Sequence, residues 1–152
     1  MAKITKLSKN GLELIKKYEG FRANPYKCPA GVPTIGYGAT YYPDGKRVKM
    51  TDPPMTEKQA SDILKQMVIP YEKAVDTYCI DTINQNQFDA LVSFAYNVGT
   101  NALKNSTLLK KLNVNANDPT IRDEFMKWVR GGGKKLPGLV RRRTEEADIY
   151  FS

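Results

Sequence analysis

The sequence predicts a mainly helical α+β fold of two lobes, a small antiparallel β lobe and a larger helical one. Three observations carry this. Segments with helical periodicity and recognisable start and stop residues occupy 8–19 and most of 56–152. Between them, from about 24 to 50, the pattern breaks into short polar and aromatic pieces divided by Pro25, Pro29, Gly31, Pro33, Gly36, Gly38, Pro43 and Gly45. At 152 residues the chain has the length of one domain and can bury a proper core. We therefore read 1–152 as a single domain. Its β-rich lobe covers about 20–55, and its helical lobe about 56–152 plus the N-terminal helix at 8–19.

The elements follow in order. Ser8 is a plausible N-cap, after which Leu12, Ile15 and Tyr18/Glu19 share one helical face until Gly20 stops the helix. Asp44-Gly45, between Thr40-Tyr41-Tyr42 and Arg47-Val48, is a hairpin signal. The loop around Cys28 is expected against the end of the first helix. Asp52-Pro53-Pro54 closes the lobe, and Thr56 with Gln59 matches a capping box that opens a helix through Ile63, Leu64 and Met67. Pro70 predicts a kink or break, with helix resuming to about Cys79. Asn84 with Gln87 is a second capping box. The helix after it, Phe88 to Val98 before Gly99, is apolar nearly all round and reads as the buried centre of the helical lobe. Shorter helices are expected from Ser106 through Leu112 and from Asp118-Pro119 to Val129. Gly131-Gly132-Gly133 then opens a flexible basic loop, and a last helix runs from about Pro137 to Tyr150. Its Arg141-Arg142-Arg143 run reads first as a solvated face with pairs such as Arg141–Glu145.

Composition narrows the chemistry. Lys+Arg 24 against Asp+Glu 16 gives a net charge of +8, which suits a polyanionic partner: nucleic acid, an anionic membrane surface or an acidic wall polymer. The N-terminal stretch has no apolar core of a signal peptide, and no apolar run approaches the roughly 20 residues that span a bilayer. The expected state is soluble and cytoplasmic, with no stable membrane anchor. The cysteines, Cys28 and Cys79, are too few for a disulfide framework and lack metal-ligand spacing; one bridge is possible but not required. With His 0, a Ser-His-Asp triad and a His-based metal site are excluded. No metal or cofactor is expected.

The stretch from Tyr18-Glu19-Gly20-Phe21 to Thr34-Ile35-Gly36-Tyr37-Gly38 holds three residues that could do chemistry: Glu19, Cys28 and Thr34. A carboxyl group held against apolar surface has its ionised form disfavoured, so it can donate a proton near neutral pH. The bland alternative is a Glu that caps a helix and is solvated.

The spacing Glu19, eight residues, Cys28, five residues, Thr34-Ile35-Gly36-Tyr37-Gly38 resembles the phage-type lysozyme (endolysin) family, glycoside hydrolase family 24. Two more blocks share the resemblance: Asn84 through Gly99, and Pro137-Gly138-Leu139-Val140-Arg141-Arg142-Arg143. It spans nearly the whole chain in collinear order. The resemblance implies a lysozyme-like fold with its cleft between the lobes, and hydrolysis of the β-1,4 bond between N-acetylmuramic acid and N-acetylglucosamine in peptidoglycan. It also implies that Glu19 protonates the leaving oxygen, that residue 28 assists water or the developing cation, and that Thr34 positions the water. Tyr37, Thr40, Tyr96, Asn97, Ser106 and Arg142 are the residues it would set against the glycan strand. Most of the family has Asp where this chain has Cys28, and we read the Cys as a tolerated variant. An unperturbed thiol, with a pKa of about 8.5, is only a few per cent thiolate at neutral pH. Lys27 and the positive field would raise that fraction.

The partners implied are peptidoglycan glycan strands acted on by a monomer, with no nucleic acid. The enzyme would wait in the host cytoplasm until a holin opened the inner membrane. The rivals are a lytic transglycosylase, which needs one Glu and no second carboxylate, an inactive peptidoglycan-binding protein, and a basic nucleic-acid-binding domain. The last would concentrate Lys and Arg on one recognition face, whereas here only Arg141–Arg143 cluster.

Overall fold

In the computed structural model, residues 3–152 are described, and the Met1-Ala2 start of the stretch read for a leader lies outside them. The chain forms two compact units. One comprises the residues up to Leu12 together with Pro70–Ser152, and the other Glu13–Ile69. The first helix, α1 (Lys9–Glu19), is shared between them. Gly20, at φ +75, ends it with its N–H on the Lys16 carbonyl at 2.9 Å.

The Glu13–Ile69 unit is built on hairpins. Strand β1 (Arg22–Lys27) pairs antiparallel with β2 (Pro33–Gly36). Register runs from Arg22 opposite Gly36 to Tyr26 opposite Thr34, so β1 advances four residues while β2 advances two. Pro25 sits in that bulged stretch, where its missing N–H costs no ladder bond. The connection is a three-residue loop: the Cys28 N–H donates to Val32 O at 3.0 Å and the Gly31 N–H to Cys28 O at 2.8 Å, with Gly31 at φ +80. The same pattern recurs at the expected second hairpin, where the Tyr42 N–H meets Lys46 O and the Gly45 N–H meets Tyr42 O, both at 2.9 Å. Its loop is therefore Pro43, Asp44 and Gly45 rather than Asp44-Gly45 alone, and its ladder is the single bridge Tyr41–Arg47. Helix α2 (Glu57–Met67) opens on the Thr56/Gln59 capping box and packs on β2. This contact is tight: a Cβ on Gly36 would lie 3.1 Å from Ala60 Cβ. The unit carrying the hairpins thus takes in α2 and runs past the stretch 20–55.

The other unit is helical apart from one small hairpin. Helix α3 (Ile69–Tyr78) restarts one residue after α2, with Pro70 in its first turn, where an N–H is not needed. Helix α4 (Gln85–Val98) opens on the Asn84/Gln87 capping box and is buried from Gln87 to Ala95. Phe94 meets Phe125 and Trp128 edge-on at 5.5 and 5.6 Å. Gly11 has no room for a side chain because the Asp89 carboxyl fills that space. Asp89 accepts from the Ser8 N–H at 3.0 Å and from Gln85 at 2.8 Å. Two short helices follow, α5 (Thr100–Lys104), which the sequence did not announce, and α6 (Thr107–Val114) behind its N-cap Ser106.

The rest of the unit departs from the sequence reading in three places. Helix α7 is only Ile121–Met126, shorter at both ends than 118–129, because Asp118 closes a turn on the Thr120 N–H at 2.9 Å and does not cap the helix. The triple glycine is no flexible loop. Gly132 and Gly133, at φ +58 and +78, form the two-residue turn between β3 (Arg130–Gly131) and β4 (Lys134–Lys135). Helix α8 (Pro137–Tyr150) has the expected bounds and Pro at its start, but of its arginine run only Arg141 is on a solvated face. Arg142 and Arg143 are buried with Glu146.

Candidate active site

Cys28 stands at the first position of the β1–β2 turn. There a side chain can fold over the turn and accept backbone N–H groups, which is why Asp, Asn and Ser favour that place. The sulfur does this. Its pKa is lowered from 9.0 chiefly by the Val32 N–H, then by the Ala30 N–H, with the Thr34 hydroxyl helping and partial burial opposing. A group that accepts several N–H bonds is better satisfied as an anion, so the loop favours thiolate.

Thr34 lies on β2, 3% exposed, opposite Tyr26. Its Oγ1 donates to Val32 O at 2.9 Å and also stands within hydrogen-bonding reach of the Cys28 sulfur. A hydroxyl has one proton. Beside a neutral thiol that proton goes to the Val32 carbonyl, and beside a thiolate the sulfur competes for it. The structure thus brings Cys28 and Thr34 into direct contact, with the Ala30 and Val32 amides completing the group.

Glu19 ends α1, half-buried, with its Oε1 3.6 Å from where a Cβ on Gly38 would be. Gly38 (φ +91) belongs to the turn closed by two 2.9 Å bonds between Ile35 and Ala39. The carboxyl group therefore lies over the turn that begins two residues after Thr34. Any side chain at 38 would be strained by its backbone, while its Cβ would meet the carboxylate at ordinary van der Waals distance.

The residues expected along the glycan fall into two groups. In the Glu13–Ile69 unit, Tyr37 is 7% exposed, lies against Phe21 at 5.7 Å with the rings tilted by 47°, and donates its hydroxyl to Glu57 Oε1 at 2.9 Å. Burial, then the Glu57 hydrogen bond, pushes its pKa up, so it stays a donor. Thr40 is half-buried and its carbonyl accepts the Val48 N–H at 3.0 Å. In the other unit, the Tyr96 ring meets Tyr71 edge-on at 5.0 Å, and exposed Asn97 lines a pocket of about 470 Å³ with Trp128, Arg130 and Arg143. Ser106, 4% exposed, accepts the Leu109 N–H at 3.0 Å and donates to Leu103 O at 2.7 Å. Its hydroxyl thus caps α6 as acceptor and ties back to α5 as donor. Arg142 bonds Glu146 Oε2 at 3.2 Å and Ser93 O at 3.1 Å.

Sequence reasoning missed two things here. The Ala30 and Val32 amides are the chief influence on Cys28, and their signal was legible: Cys-Pro-x-Gly-x is the same turn pattern as Tyr42-Pro43-Asp44-Gly45-Lys46. The buried pair of Arg143 and Glu146, with exposed Asn97 bonded to it, was not announced. Arg143 bonds Glu146 and Asn97 and gives Nε to Trp128 O at 3.0 Å. The two cysteines are both free thiols, Cys28 partly exposed and Cys79 buried.

Comparison with known proteins extends these observations. The phage lysozyme family model matches residues 16–146. An endolysin of Acyrthosiphon pisum secondary endosymbiont phage 1 is 39% identical over 150 residues, covering 96% of this chain and 98% of that one. An endolysin of Bacillus phage B103 is 41% identical over 151 residues and also covers 96% of this chain, but the chain spans only 54% of that relative's length. Among solved structures, the endolysin from Escherichia coli O157:H7 phage FAHEc1 superposes with a TM-score of 0.87 at 40% identity, covering 97% of this chain and 94% of its own. A mutant of P22 lysozyme gives 0.88 at 34% identity, covering 98% and 100%.

Proposed function

Since this chain belongs to the phage lysozyme family, a family of cell-wall lytic glycoside hydrolases, we propose that it hydrolyses the β-1,4 bond between N-acetylmuramic acid and N-acetylglucosamine in peptidoglycan. The observation that supports this most directly is the turn at Cys28. Its Val32 and Ala30 N–H groups lower the pKa of the Cys28 thiol and so favour a negative group there, in the unit that also carries Glu19 and Thr34.

Glycosidases divide their work between a proton donor and a second, anionic group. Glu19 gives its proton to the leaving glycosidic oxygen. The Cys28 thiolate supplies the negative charge that the incoming water and the oxocarbenium-like sugar both need. Thr34, whose hydroxyl can turn between Val32 O and the sulfur, holds the water. Tyr37 and Glu57 brace the turn on which Glu19 rests, and Thr40, Tyr96 and Asn97 are proposed to meet the sugar chain. The remaining two, Ser106 and Arg142, are buried on internal partners and would act by holding the surrounding helices rather than by touching sugar. Among the described residues no helix is long and apolar enough to cross a membrane, and we take the enzyme to reach the wall only once the host membrane has been opened.

The test is clearing of chloroform-treated Gram-negative cells by wild type, Glu19→Gln, Cys28→Ala and Cys28→Asp, with mass analysis of the released sugar ends. Reducing muramic acid ends, loss of clearing in Glu19→Gln and retained clearing in Cys28→Asp are expected. Ends in the 1,6-anhydro form would make the protein a lytic transglycosylase instead. Cys28→Ala clearing at the wild-type rate would remove Cys28 from the mechanism.

A further inference from the structure

The Glu13–Ile69 unit holds a groove of about 480 Å³ that no step above uses. Tyr42, Pro53, Met55 and Ile63 give it an apolar wall, and the charged residues lining it are Asp52 and Asp62. No Lys or Arg lines it among the described residues, in a chain whose net charge is +8. Asp52 is held in place: its Oδ2 accepts the Tyr42 hydroxyl at 2.7 Å and the Lys49 N–H at 2.8 Å. Those bonds, the backbone one first, keep its carboxyl below the ordinary range, so it is ionised at neutral pH. Burial and then Asp52 push the Tyr42 hydroxyl up to about 12, so it remains a donor. Asp62, one turn into α2, is exposed and only loosely paired with Lys65 at 3.9 Å.

We propose that this groove binds a primary ammonium group carried on an aliphatic chain, namely the free side-chain amine of the diamino acid in the peptide stem of the wall polymer. The alkyl part lies along Pro53, Met55 and Ile63, and the cation meets Asp52 and Asp62. A phosphate or carboxylate ligand is disfavoured by the same two charges. That the occupant belongs to the wall rests on the peptidoglycan reading above; the preference for an amine rests on the groove alone. A stem held there would anchor the substrate on the unit that carries Glu19, Cys28 and Thr34, lowering KM without touching the chemical step.

The probe is Nα-acetyl-lysine N-methylamide, titrated into the full chain and followed by backbone NMR, with the Nε-acetylated compound as control. Shifts confined to residues 42, 52–55 and 59–63 are expected with the free amine only, in wild type and in Glu19→Gln alike. They should be lost in Asp62→Lys, an exposed change that leaves the fold intact. On peptidoglycan whose free amines have been acetylated, KM should rise about three- to tenfold with kcat unchanged, the scale of one or two exposed charge pairs. Equal shifts from probe and control would overturn the amine site. Probe binding with equal KM on both walls would overturn the stem as its occupant. If the probe binds but wild type degrades neither wall, the hydrolase reading fails and the stem assignment falls with it, while the amine preference stands.

Discussion

At pH 7, iodoacetamide should label Cys28 and spare Cys79, and the margin can be worked out. Only the thiolate attacks. Even a thiol at 9.0 is about 1% ionised at pH 7, and the Val32 and Ala30 amides put Cys28 above that fraction. Burial, with the charge of Asp76 adding to it, pushes Cys79 up to about 12, which leaves about one part in 10⁵ ionised. The thiolate ratio is therefore at least about 10³. Intrinsic nucleophilicity falls as pKa falls, by about half a log unit per unit, which reduces the rate ratio to at least roughly 30-fold. Burial of Cys79 widens it again. The assay is timed labelling of the native protein between pH 6 and 9, read by peptide mass, with lysis measured on the same aliquots. The labelling rate should rise with pH through a midpoint below 9.0, and lysis should fall in step with Cys28 modification. A midpoint at or above 9.0, or comparable labelling of Cys79, would refute the account of the turn. Full lysis by fully alkylated enzyme would refute a part for the thiolate in catalysis.

Glu19→Gln keeps shape and polarity but cannot donate a proton, so lysis should fall at least about 10²-fold at unchanged Tm; a folded variant with near wild-type lysis would end its assignment as the acid. Thr34→Val removes a hydroxyl donor from the Cys28 sulfur while the two stronger amide donors stay, so the alkylation midpoint should rise modestly and kcat should fall; a collapse of Tm with intact specific activity would make Thr34 structural. Glu146→Gln leaves buried Arg143 without its carboxylate, at a cost of about 3–5 kcal/mol in urea unfolding. Gly36→Ala forces a side chain to φ +66 and to 3.1 Å from Ala60 Cβ; thermal melts should show a loss of at least about 1–2 kcal/mol.

Local chemistry was legible, and long-range chemistry was not. Thr56/Gln59, Asn84/Gln87, Ser106 and Pro137 each mark a helix start within a few residues of sequence, and each helix begins there. α5 has five residues, too few to show a period. Lys134 and Lys135 have little preference for strand, so only Gly132-Gly133 hinted at the β3–β4 turn. Arg142 and Arg143 look solvated because an exposed helix face carries the same charge pattern. What buries them is Ser93, Asn97 and Trp128, 15 to 49 residues away in the chain. In the candidate site, Glu19, Cys28 and Thr34 stood out as residue types at a spacing. The amides that act on Cys28 belong to a turn whose hydrogen bonds exist only once β1 and β2 have paired.

That turn bears on why a thiol can occupy position 28. The first residue of such a turn offers its side chain to the N–H two residues on, and the glycine at 31 lets the chain swing back so that the Val32 N–H joins it. Neither donor depends on the side chain at 28, since Pro29 and Gly31 set the geometry. A carboxylate there would accept the same N–H groups that the sulfur does. The electrostatic character of the position thus belongs to the backbone, and the side chain supplies an acceptor of either kind. For a carboxylate the amides make little difference at neutral pH, because it is already ionised. For a thiol they matter far more, because an ordinary thiol is almost wholly protonated there. Under the mechanism proposed here, the Ala30 and Val32 amides would have a part in activity that an Asp at 28 would scarcely need. Changes to Pro29 or Gly31 should accordingly impair the wild type more than Cys28→Asp.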